Sequence, residues 1–210
     1  MENTNTMSIH QALAELKLLD KRINSVTNVV NFVSFAVGKK SVSGFKSVEE
    51  FEAYAKSAYQ SVTDLIKRRD AIKAAIVHSN AVTKVRVGDE ELTVADAIER
   101  KKTIVYRQAL LRKLTTDLND AVRSVDAENR NVQARLEELL KISLGTDRKG
   151  KEVEAEAISK NFKGDNEAYL VDPIGIRAVI DKLMAEIETF LTQIDYRLSE
   201  SNTLTKITVG

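Results

Sequence analysis

Apolar residues recur along most of this chain at the three- and four-residue steps of helices that bury one stripe, and the pattern stops in few places. From Ile9 they fall at Ala12, Leu16, Leu19, Ile23, Val26, Val30, Val33 and Val37, a heptad seam. Ser8 with Gln11 three residues on has the form of a capping box, so the first helix is expected to start there. Gly38 is the expected stop, because glycine takes the left-handed backbone that closes many helices. Val29, Phe32 and Phe35 widen the seam at this end and predict burial on more than one face. Residues 38–46 read as a solvated connection; they hold glycine and lysine but lack the spacing of a phosphate-binding loop.

A second capping box, Ser47 to Glu50, opens a helix whose buried track is Phe51, Ala55, Ala58, Val62, Leu65, Ile72 and Ile76. Arg69 interrupts that stripe, first as an edge residue that snorkels, otherwise as half of an ion pair to a neighbouring helix or an anion ligand. Asn80 is the expected left-handed cap. Residues 82–94 then change character. Val82, Val85 and Val87 with Thr83 have strand character, Gly88-Asp89 supplies a turn, and Leu92-Thr93-Val94 can return. Thr93 can cap the third helix, whose seven-residue steps run Ile104, Leu111, Leu118, Val125, Val132 and Leu139. Unbroken over 94–143, that helix would be roughly 75 Å long. The polar run Asp126-Ala127-Glu128-Asn129-Arg130-Asn131 is its weakest point. Residues 145–170 read as a long polar loop holding a short helix near 152–161. Asp172 as cap with Pro173 in the first turn opens the fourth helix, striped by Ile176, Ile180, Leu183, Ile187, Phe190, Ile194 and Leu198. Asn202 is expected to cap its end, before a closing strand at 203–209.

The ends of the second and fourth helices repeat each other. Ser79-Asn80-Ala81-Val82-Thr83-Lys84-Val85-Arg86-Val87 is echoed by Ser201-Asn202-Thr203-Leu204-Thr205-Lys206-Ile207-Thr208-Val209, and the match reaches back to pair Leu65 with Ile187, Ile72 with Ile194 and Ile76 with Leu198. Each copy is a helix, an Asn cap and a strand. The two helices are expected side by side in one direction, with their strands in one small sheet; the alternative is a closing strand that pairs with another subunit. The whole is expected to be one mainly α domain over 1–210, an elongated antiparallel helical bundle or coiled coil with a two- to three-stranded β element at one end and a flexible leader at 1–7.

Composition narrows the functions available. Lys and Arg number 32 against 31 Asp and Glu, so no net charge draws the chain to nucleic acid. There is no cysteine, hence no disulfide, thiolate metal site or cysteine nucleophile. No apolar run reaches the roughly 18 residues of a membrane span, and the first residues lack a signal peptide's layout. A cytoplasmic protein is expected. His10 and His78 fall in different helices without a second ligand at metal spacing. Glu90-Glu91 and Glu137-Glu138 are adjacent and point to different faces, and Glu152, Glu154 and Glu156 read as a solvated edge. If the repeated strands pair, Lys84, Arg86 and Lys206 would gather into a small cationic spot, the best candidate for an anion site. No cofactor or metal is expected.

Three stretches together resemble a known family. Ser-Asn-x-x-Thr from Ser79, Gly-Asp-Glu-Glu-Leu-Thr-Val-Ala-Asp-Ala-Ile-Glu-Arg-Lys from Gly88, and Leu-Val-Asp-Pro-Ile-Gly-Ile-Arg-Ala-Val-Ile-Asp-Lys-Leu from Leu170 are similar to the septicolysin-like proteins, small helical proteins of bacteria and their mobile elements. These motifs are structural: a hairpin, a capped helix start and a closing strand. Family members often carry a tryptophan in that strand, where this chain has Leu204 and no Trp anywhere. The resemblance implies the helical fold and a phage or mobile-element origin, and the lysin name raises membrane activity. Because the seams exceed what one thin subunit can bury, a non-enzymatic homo-oligomeric assembly or interaction protein is expected first. A protein that sequesters a small anionic ligand between subunits comes next, then a membrane-active lysin.

Overall fold

The computed structural model describes residues 5–38, 42–147 and 149–209. The chain divides into two compact units, residues 1–102 with 189–210 and residues 103–188. In order, its elements are β1 (Asn5–Ser8), α1 (Ile9–Val29), α2 (Val48–Val82), β2 (Lys84–Val87), β3 (Glu90–Thr93), α3 (Val94–Leu144), α4 (Glu152–Asn166), α5 (Ile176–Leu204) and β4 (Lys206–Val209). The mainly helical class with a small β component is as expected. The strands, however, form two separate antiparallel pairs, β1 with β4 and β2 with β3. The expected single sheet joining the repeated strands does not form.

In the first unit the two repeated helix exits are built bond for bond alike. The Thr83 N–H donates to Ser79 O at 2.8 Å, and the Thr205 N–H to Ser201 O at 2.9 Å. Each threonine carbonyl then accepts from the first residue of another helix: Val94 N–H to Thr83 O at 2.8 Å, Ile9 N–H to Thr205 O at 3.0 Å. The likeness continues into those helices. Thr93 Oγ1 accepts from the Asp96 N–H at 3.0 Å, as Ser8 Oγ accepts from the Gln11 N–H at 3.2 Å. Ala97 and Ala12, each four residues beyond its cap, are completely enclosed. The repeat unit is therefore helix, strand, strand, helix. In one copy a two-residue turn joins the strands; in the other they are the two ends of the chain. The registers agree: Val85 faces Leu92 in one pair and Ile207 faces Met7 in the other. Residues 5–7 thus belong to a strand, not to a flexible leader, because β4 needs a partner to satisfy its backbone. Residues 1–4 of that expected leader lie outside the described residues, as do Lys39, Lys40 and Ser41 of the expected loop.

Packing follows the alternation of the strands. Ile207 and Val209 point inward with Met7 and join Ile9, Ala12, Leu16, Leu19, Ile72 and Ile76 in one buried cluster between α1, α2 and the β1–β4 pair. Arg68 to Glu15 (2.9 Å) and Arg69 to Asp20 (2.6 Å) edge this cluster. Arg69 is thus half of an ion pair between helices, the less favoured of its two readings. The other hairpin seats on α5. Gly88 takes the positive φ (60°) that the first position of its tight turn requires. Its N–H donates to Gln193 Oε1 at 2.9 Å, and a Cβ added there would lie 2.9 Å from Thr189 Cγ2.

Several expected boundaries move. α1 stops at Val29, not Gly38, and the Val30 backbone is already extended (φ −83°, ψ 131°). Val29-Val30-Asn31-Phe32-Val33-Ser34-Phe35 holds no strong helix former, and without a packed face a short terminal stretch does not stay helical. Asn80 and Asn202 are not caps. Both lie inside helices that run on to Val82 and Leu204, and no non-glycine residue among those described has a positive φ. The threonine bonds described above do the terminating. At the start of α2, Ser47 Oγ accepts from the Glu50 N–H, while Glu50 Oε2 accepts from the Lys46 N–H, one residue short of a full capping box. Asp172 does accept from the Ile176 N–H at 2.9 Å, but Pro173 precedes the helix and Gly175 (φ 66°) makes the turn into it.

In the second unit α3 passes its Asn-rich stretch unbroken. Asn129 is there for a reason: its amide donates to Ala168 O (3.0 Å) and accepts from the Ala168 N–H (2.8 Å), satisfying extended backbone that has no sheet. The short helix expected near 152–161 forms and runs further, as the 15-residue α4, whose Ala155, Ile158 and Phe162 cover Leu136, Leu140 and Leu144 of α3.

Candidate interaction surface

The cationic trio is not brought together. Lys84 and Arg86 lie on β2 and Lys206 on β4, in different sheets. Lys84 Nζ sits 2.7 Å from Glu91, whose hydrogen bond and charge hold the ammonium above its ordinary pKa. Arg86 Nε donates to Gly88 O, and its guanidinium lies 3.8 Å from Asp89. These are exposed pairs within one hairpin, and solvent screens them. His10 and His78 are both exposed. Among the described residues no three His, Asp or Glu side chains converge on a metal-sized site, and no helix is long and apolar enough to cross a membrane.

What stands out instead is the segment just past α1. Residues 23–38 form the longest uncharged run in a chain that is 30% charged. Residues 31–37 pair with no strand among the described residues. Every residue of this stretch is exposed. Phe32 turns toward α2 and lines a shallow groove with Phe51, Ala55 and Tyr59, bordered by Glu52 and Lys56. Phe32 is 36% exposed, and Val33, Phe35 and Val37 are 85%, 82% and 63% exposed. Val29 (75%) and Tyr59 (65%) extend the same apolar ground.

The groove is anchored from the helix side. Phe45 packs edge-on against Phe51, with centroids 5.2 Å apart, and tilts against Tyr54 at the same distance. Val42 is buried. This aromatic cluster ties the incoming chain to the first turns of α2, beside the place where Phe32 sits. The Lys56 ammonium is 3.3 Å from Glu52, so the charge at the groove's border is neutralised locally.

No family model, curated protein or solved structure matches this chain.

Val30, Val33 and Val37 continue the heptad seam in sequence, yet they lie beyond the end of α1. The signal against a helix here is composition: Val, Phe, Ser and Asn are weaker helix formers than the residues of α1 before them. Chemically the surface offers mainly apolar contact.

Proposed function

We propose that this chain is a non-enzymatic helical assembly protein that works as a homo-oligomer. One observation carries the reading: a contiguous, uncharged apolar surface at residues 29–37, at the edge of α2, left open to solvent. Patches of that kind on a water-exposed protein mark places where another surface docks. The resemblance to the septicolysin-like proteins is compatible with it, since the shared motifs are structural.

The anion-sequestering alternative rested on Lys84, Arg86 and Lys206, and the first two already face carboxylates. A membrane-active reading draws on the same apolar surface and is the second reading kept, with vesicle binding as its discriminator. The test of the main reading is sedimentation velocity over a hundredfold concentration range. A species of two or more chains at micromolar protein supports it. A monomer throughout that range overturns it.

A further inference from the structure

We infer that the first unit is a dimer built into one chain. Two strand–helix–helix–strand modules, residues 5–87 and 90–209, trade strands with each other as two copies of one subunit do about a two-fold axis. This holds whether or not whole chains associate.

The first module is β1, α1, α2 and β2; the second is β3, α3, α5 and β4, with residues 103–188 between its matched parts. Their openings correspond residue by residue: Met7 to Leu92, Ser8 to Thr93, Ile9 to Val94 and Ala12 to Ala97. Both members of the last two pairs are buried. Their closings correspond through the repeat: Ile72 to Ile194, Val85 to Ile207 and Val87 to Val209, every one of them buried. The likeness runs on for one more residue, because Gly210 follows Val209 as Gly88 follows Val87.

The last strand of each module pairs with the first strand of the other, β2 with β3 and β4 with β1. The register is the same, with Val87 opposite Glu90 and Val209 opposite Asn5. Each module thus gives the other the strand that it receives. That reciprocity is what makes a contact isologous, the kind found in two-fold dimers.

The correspondence also holds at a helix crossing outside the repeated sequence. Glu15, seven residues past the Ser8 cap, meets Arg68, four before Ile72, at 2.9 Å. The residues at the same places in the second module are Arg100, seven past Thr93, and Phe190, four before Ile194. They meet too: the Arg100 guanidinium lies over the Phe190 ring, 4.9 Å from its centroid. One module makes an ion pair at this crossing and the other a cation–π contact. The chemistry has diverged while the geometry has stayed. The fold is therefore a ring with two equivalent joints, one spanned by Gly88-Asp89 and one held by the β1–β4 pair alone.

Two experiments test this. The first is a circular permutant of the chain in which Gly210 is joined directly to Thr4 and the new ends are Asp89 and Gly88. Two residues then connect β4 to β1, as two now connect β2 to β3. It should keep its helical circular dichroism and melt cooperatively within about 5 °C of the wild type. The second asks for equivalence, which nearness of the chain ends alone would not produce. Arg68→Phe with Glu15→Arg should transplant the ring contact into the first module and melt above Arg68→Phe alone. Arg68→Phe with Glu15→Gln removes the carboxylate without supplying a cation and should melt below that pair. A permutant without a cooperative melt would overturn the ring. Equal melting of the Glu15→Arg and Glu15→Gln chains in the Arg68→Phe background would overturn the equivalence of the modules. Neither result bears on the homo-oligomer reading, which sedimentation tests separately.

Discussion

Strand β4 and segment 31–37 are both short and carry apolar residues at every second position or more, yet the chain treats them oppositely. In β4 the alternation separates two kinds of residue. Ile207 and Val209 go inward, while Lys206 and Thr208 face water, where Thr208 Oγ1 meets Thr6 Oγ1 across the pair at 3.3 Å. β4 has its partner, β1, from the same chain. In 31–37 every residue is exposed, including Phe32 at the rim of the α2 groove and Val33, Phe35 and Val37. Where the chain provides its own pairing strand, the outer face is polar. Where it provides none, the outer face is apolar. A segment evolved only to link α1 to α2 would not need that, and this contrast is the strongest reason to read 31–37 as an interface.

The comparison can be broken most forcefully at β4. Deleting residues 206–210 removes two buried side chains and strips β1 of its pairing, so the melting temperature should fall by about 10 °C or more; an unchanged melt would show that the sheet contributes nothing. Ile207→Ala should cost about 2–4 kcal/mol in chemical denaturation, whereas Phe35→Ala should move monomer stability by no more than about 0.5 kcal/mol. Equal costs would mean that Phe35 is buried within its own chain. Gly88→Ala should destabilise by about 1–3 kcal/mol, from a positive φ and the approach to Thr189. Ser8→Ala and Thr93→Ala, the matched caps of the repeated joints, should each cost about 1 kcal/mol, and by similar amounts. The mildest test is a gain: Lys206→Val with Thr208→Val makes the outer face of β4 resemble that of 31–37, and a new concentration-dependent species should appear on a sizing column.

Much of the fold is legible in residue patterns. The caps at Ser8, Ser47 and Thr93, the turn at Gly88, the unbroken α3 and the equivalence of the two helix exits all rest on local chemistry that tertiary context did not override. What could not be read were partners. β1 has four residues, and its only apolar one is Met7; nothing local announces it as a strand until β4 lies beside it. The joint of which it is part is hard to see as a repeat, because residues 8–12 and 93–97 share only the hydroxyl cap, a buried β-branched residue after it (Ile9, Val94) and one enclosed alanine. Asn80 and Asn202 were given a capping role on propensity alone, while the threonines three residues later end the helices through backbone bonds. The cationic spot depended on two strands pairing and vanished when each found a different neighbour. The apolar residues at 29–37 were seen, but a heptad count placed them inside a helix whose constituents favour extended chain.

The proposal at the centre of this account is that the exposed apolar surface at residues 29–37 is covered in a homo-oligomer, and amide hydrogen exchange at residues 31–37 as protein concentration rises tests it most directly. The account predicts fast exchange in dilute protein and protection that appears with concentration, tracking dimer formation, while β4 amides stay protected throughout. Exchange at 31–37 that is equally fast at every concentration, in a sample shown to be oligomeric, would contradict it.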